Sequence, residues 1–123
     1  MNFDISISER QLQKLYDELV RFDMIEIERT RNEDFENVFL LNWDAHSSKI
    51  YFNLDAPSCR EFYELFKNTF PNNALSLIDF FDRSNTIRRT DSSAYAYDTI
   101  RNAKSRTPIS KRSDDLKAIF SKL

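Results

Sequence analysis

Apolar positions recur at helical spacing near the start of the chain. Leu12, Leu15, Tyr16, Leu19 and Val20 fall at i, i+3, i+4, i+7 and i+8, one stripe of an amphipathic helix. Ser8 and Gln11 have the spacing of a capping box, so the helix is predicted to begin just after Ser8. The stripe ends near Phe22 and Asp23.

The period then shortens to two. Residues 24–31, MIEIERTR, set Ile25 and Ile27 against Glu26 and Glu28. Residues 37–43, NVFLLNW, are apolar on both faces, as a central strand would be. Residues 49–55, KIYFNLD, alternate Ile50, Phe52 and Leu54 with Tyr51, Asn53 and Asp55. The connections are short and built from Asn, Asp and Ser, which predicts an antiparallel meander of three strands.

Helical spacing returns afterwards. Ser58 with Glu61 offers a second capping box, Phe62, Leu65, Phe66 and Phe70 line a buried side, and Pro71 ends the element. A further helix is expected to start near Asn73 and to carry Leu75 and Ile78. A helix within residues 86–112 would have only Ala96, Ile100 and Ala103 as its apolar face. The last helix is expected to be capped by Ser113, with Leu116, Ile119, Phe120 and Leu123 in its stripe. Phe39, Trp43, Phe52, Phe62, Phe66 and Phe80 lie on periodic faces and are assigned to the core. The predicted fold is α+β: a three-stranded antiparallel meander between an N-terminal helix and two to four following helices. It forms one domain over residues 1–123, with 86–112 as a basic connector or arm within it.

Composition narrows the chemistry. The chain has no glycine in 123 residues. Glycine supplies the positive φ and close backbone approach of dinucleotide fingerprints, P-loops and nucleophile elbows. No cofactor is therefore expected. The single cysteine excludes an intramolecular disulfide. The N-terminus lacks a basic flank with an apolar run, and the longest apolar run, VFLL, is far below the roughly 20 residues that span a bilayer. The expected location is the cytoplasm, with no membrane partner.

Catalytic constellations are weak. Asp44, His46, Ser47 and Ser48 lie within one short turn, whereas a triad needs groups converging from different elements. Cys59 falls in the first turn of the second predicted helix beside Arg60, where dipole and charge would favour a thiolate. One His and one Cys have no zinc-ligand spacing. Neither an enzyme nor a metal site is expected.

Charge is unevenly spread. Residues 1–85 carry 9 Lys and Arg against 16 Asp and Glu, net −7; residues 86–112 carry 7 against 2, net +5. Glu26, Glu28, Glu33, Asp34 and Glu36 cluster around the first predicted hairpin. Such a cluster can simply keep an edge strand from aggregating. It is also a surface for a basic protein, such as a toxin or a nucleic-acid-binding protein, with Tyr51 and Tyr63 as aromatic contacts. The expected function is a non-catalytic interaction module: a small inhibitor, immunity protein or adaptor. The alternative is a nucleic-acid-binding accessory protein. Arg88, Arg89, Arg101, Lys104 and Arg106 would then meet phosphates, while Tyr97, or Tyr95 beside it, stacks on a base. On a helix Tyr97, Arg101 and Lys104 share a face. A third reading is self-association, the basic segment docking on a neighbour's acidic hairpin.

Overall fold

The computed structural model describes residues 2–3, 5–70, 75–106 and 111–123. Helix α1 (Glu9–Arg21) starts where the sequence places it. Gln11 N–H donates to Ser8 Oγ at 3.1 Å, and Ser8 N–H donates back to Gln11 Oε1 at 3.2 Å. Leu12, Leu15, Tyr16 and Leu19 are buried on its inner side. Beyond it the chain reverses at Asp23, whose φ of 57° is a left-handed position filled without glycine.

The predicted meander is not formed. In residues 24–31 only Ile25 pairs, as an isolated antiparallel bridge to Phe52, before the chain turns away. Residues 37–40 belong to helix α2 (Asn32–Leu40). Phe35, Val38 and Phe39 lie at i, i+3 and i+4 and are buried together, while Glu33 and Leu40 face outward. Asp34 accepts the Arg31 N–H at 3.1 Å and so satisfies one donor at the helix start.

Strand β1 (Ile50–Phe52) lies inside the third predicted strand, but its partner is remote. It pairs in parallel with β2 (Ile87–Arg89), in the register Ile50 to Ile87, Tyr51 to Arg88 and Phe52 to Arg89. Parallel strands need a long crossover. Helix α3 (Ala56–Thr69) and a π-helical turn (Asp79–Arg83) lie on it. Among the described residues the molecule is thus mostly helical around one two-stranded parallel sheet.

Two caps differ from expectation. Asp55, not Ser58, caps α3: its Oδ1 accepts the Ser58 N–H at 3.2 Å, and Pro57 sits in the first turn, where a missing N–H does no harm. Helix α5 (Ser113–Ser121) begins at Ser113 with Arg112 in the cap position. The Ser113 hydroxyl instead donates to Glu61 at 2.7 Å. The stop at Pro71 and the cap at Asn73 lie outside the described residues.

Phe62 of α3 organises the core. Its ring lies 4.9 Å from Phe52, 5.8 Å from Phe66 and 5.5 Å from Phe120, centre to centre. Helix α3 packs against both α4 (Tyr97–Arg106) and α5. Five of the six expected core aromatics are buried, while Trp43 is half-buried. No described helix is long and apolar enough to cross a membrane.

A pinned acidic loop as the candidate interface

Residues 26–31 connect the Ile25 bridge to α2. Both ends of this loop are held. Glu26 N–H donates to the Tyr51 carbonyl at 2.9 Å, and Tyr51 N–H donates to Thr30 Oγ1 at 3.0 Å. Thr30 N–H closes the turn on the Glu26 carbonyl at 2.9 Å, and the Tyr16 hydroxyl donates to the Thr30 carbonyl at 2.8 Å. Thr30 is fully buried. Each bond spares a backbone or side-chain group that would otherwise be desolvated without a partner.

Arg29 adds a clamp. Its Nε and Nη2 donate to the two Glu26 carboxylate oxygens at 3.0 and 3.1 Å. Nη1 reaches Ser92 Oγ at 2.7 Å, and Nη2 also donates to the Thr90 carbonyl. This hydrogen-bonded pairing holds the Glu26 carboxyl below its usual range and raises the Arg29 guanidinium, each chiefly through the other. What the pinned loop presents is Ile27, 53% exposed, and Glu28, also exposed. The outward side of α2 continues the surface: Glu33, Glu36 and Leu40 lie at i, i+3 and i+7, and Leu40 is 44% exposed with Leu41 beside it.

The five acidic candidates therefore differ. Glu28 and Glu33 are exposed. Glu26 is tied to Arg29. Asp34 accepts the Ser48 hydroxyl at 2.9 Å as well as the Arg31 N–H, and Glu36 accepts Asn32 Nδ2 at 3.2 Å. Tyr51 is half-buried beneath Arg29. Tyr63 is not at the surface at all. It packs 5.4 Å from Phe80, and its hydroxyl donates to the Leu75 carbonyl at 2.9 Å. Burial pushes its pKa up to about 12.

The basic candidates are spread over β2 and α4. Arg88 turns back to the Ile87 carbonyl at 3.2 Å and to Asn85 Oδ1. Arg89 lies 4.3 Å over the ring of Tyr95, and Tyr95 is buried with its hydroxyl donating to the Leu54 carbonyl at 2.7 Å. Buried Tyr95 cannot stack on a base. Arg101 pairs with Asp98 at 3.2 Å and lies 5.7 Å from the half-buried Tyr97 ring. The side chains of Lys104 and Arg106 lie outside the described residues. In the predicted apolar face of α4, Ile100 and Ala103 are buried but Ala96 is exposed.

Cys59 is a buried thiol without the thiolate character that its place beside Arg60 would favour. The helix begins earlier than Ser58, so the Cys59 N–H is already spent on the Asp55 carbonyl at 2.9 Å. Full burial pushes the thiol pKa up, and hydrogen bonding to Tyr95 and the charge of Arg89 only partly offset it. His46 Nδ1 accepts the Ser48 N–H at 3.0 Å. Among the described residues no three His, Cys, Asp or Glu side chains converge as metal ligands.

Charge counting from the sequence overlooked Arg29 and Thr30. The i, i+3 spacing of Glu26 and Arg29 was the available signal for the clamp. Comparison with protein-family models, with curated proteins and with solved structures finds no match.

Proposed function

We propose that the chain is a non-catalytic interaction module of inhibitor or adaptor type, engaging a basic protein through the 26–31 loop and the outward side of α2. The observation that carries this reading is Ile27. A large apolar side chain stands more than half exposed on a loop whose backbone is fixed from both ends. A pre-ordered loop loses little conformational freedom on association. An apolar anchor flanked by carboxylates suits a pocket with a cationic rim, where the charges steer encounter and the anchor supplies affinity.

The test is site-specific photo-crosslinking in the cells of origin. A photoreactive residue at position 27 should capture one partner, and the same residue at Thr99 should not. Capture should fall at least tenfold when Glu28 and Glu33 are both changed to Lys. Equal capture from both positions, or indifference to the charge reversal, would reject the assignment.

A further inference from the structure

Glu18 of α1 is buried, with its carboxylate only 8% exposed. Arg21 Nε approaches it at 2.8 Å and Lys14 Nζ at 3.3 Å, while Lys122, just beyond α5, brings its Nζ to 3.6 Å. Three cations thus surround one carboxylate. An ammonium has three donors, and one carboxylate cannot occupy those of both lysines. Lys14 and Lys122 are 48% and 43% exposed and line an open trough of about 960 Å³ between α1 and the end of α5. Arg10, one turn before Lys14, lines the same trough with Gln11. Its one acidic side chain, Asp17, already accepts Gln13 Nε2 at 2.9 Å.

We infer that this trough binds a phosphate-bearing small molecule, with Arg10, Lys14 and Lys122 as its anion contacts. Its size lies within the range of about 300–1,000 Å³ usual for small-ligand sites. Surplus cations from two separate elements match an anion whose oxygens point in several directions. A phosphate group can take one donor from each of three side chains, whereas a single carboxylate offers two coplanar oxygens. Glu18 works from beneath. By holding both lysine ends before a ligand arrives, it reduces the side-chain freedom lost on binding. The site lies apart from the 26–31 loop and does not rest on the interaction reading.

Inorganic pyrophosphate is the probe, titrated into the isotope-labelled chain and followed by amide NMR shifts, with hexaglutamate as the comparison anion. Saturable shifts are expected in residues 8–17 and 121–123. Arg10→Gln should weaken pyrophosphate at least fivefold, and Lys14→Gln similarly. Lys117→Gln, exposed on α5 outside the trough, should leave affinity unchanged. Lys14 also touches Glu18 and its loss can disturb the fold, so the exposed Arg10 is the decisive position. The inference is overturned if pyrophosphate moves none of these amides, if Arg10→Gln binds as wild type does, or if hexaglutamate binds equally well.

Discussion

The guanidinium of Arg29 lies 4.0 Å from the centre of the Tyr51 ring, and from there it reaches both Glu26 and the Thr90–Ser92 turn. One side chain ties three separate parts of the chain together: the acidic loop, β1 and the turn after β2. Arg29→Ala should destabilise the fold and loosen both segments that the side chain joins. Amide hydrogen exchange should rise in residues 26–30 and 90–93. Lysine keeps the charge but not the planar fork, so Arg29→Lys should recover less than half of the loss. Unchanged exchange in either segment would show that the clamp is not what orders the loop.

Ile27 should contribute little to stability. Ile27→Ser is expected to shift unfolding by no more than about 0.5 kcal/mol. Phe35→Ala, from the buried side of α2, should cost about 4 kcal/mol. Urea denaturation of the two variants makes the comparison. A large loss at position 27 would mean that its side chain serves packing rather than contact.

Tyr95 is held in the core by a polar atom. Tyr95→Phe removes the donor to the Leu54 carbonyl and leaves that carbonyl short of a partner. The expected cost is about 2 kcal/mol, a fall of roughly 8 °C in Tm. A variant that melts with the wild type would place this hydroxyl outside the cooperative core.

The Cys59 thiol should be silent in the native state. Burial both blocks access and disfavours the thiolate. Reaction with a water-soluble aromatic disulfide reagent should therefore follow the unfolding equilibrium through a urea series. Full labelling within seconds in native buffer would contradict the burial.

Acid should weaken the fold in two stages. The native state holds His46 neutral, because Nδ1 accepts the Ser48 N–H and burial, helped by Lys49, lowers its pKa. The unfolded chain takes up that proton near pH 6.5, so it binds more protons than the native state. Stability from His46 is present above about pH 6.5 and is lost as pH falls through the lower native value. The depressed carboxyls of Glu18 and Glu26 contribute stability above their ordinary range, near pH 4.5, which is lost on further acidification. Thermal melts from about pH 7.5 down to about pH 2 should show both stages. His46→Asn, which keeps an acceptor for Ser48, should remove only the first, and an unchanged upper slope would rule His46 out.

Local signals were legible in the sequence and distant ones were not. Helix α1 could be read because its cap and its stripe lie within a few residues of each other. Residues 37–41 fit both periods, and what decides them is Phe35, which joins Val38 and Phe39 on one helical side. The three-residue strand β2 left no local sign, because Ile87 alone is apolar in a polar stretch and its pairing is with Ile50. At the candidate surface the carboxylates could be seen in the sequence, but not which of them the fold already engages. The contacts that occupy Glu26 and Asp34 come from Arg29 and Ser48 through the fold. Tyr63 could have been placed correctly, since Cys59, Phe66 and Phe70 stand at i−4, i+3 and i+7 from it, all on the buried side of α3.

The parallel pairing of β1 with β2 also sets an order of events during synthesis. A meander could close as soon as its third strand was made. Here β1 leaves the ribosome long before its partner exists, and α3 follows with the core side of Phe62 only partly covered, by Phe52. The sheet cannot close until Arg89 has emerged, and Phe62 waits longer still for Phe120. Between the synthesis of Phe62 and that of Phe120 this aromatic face lacks its last cover, which is when a chaperone would have most to hold.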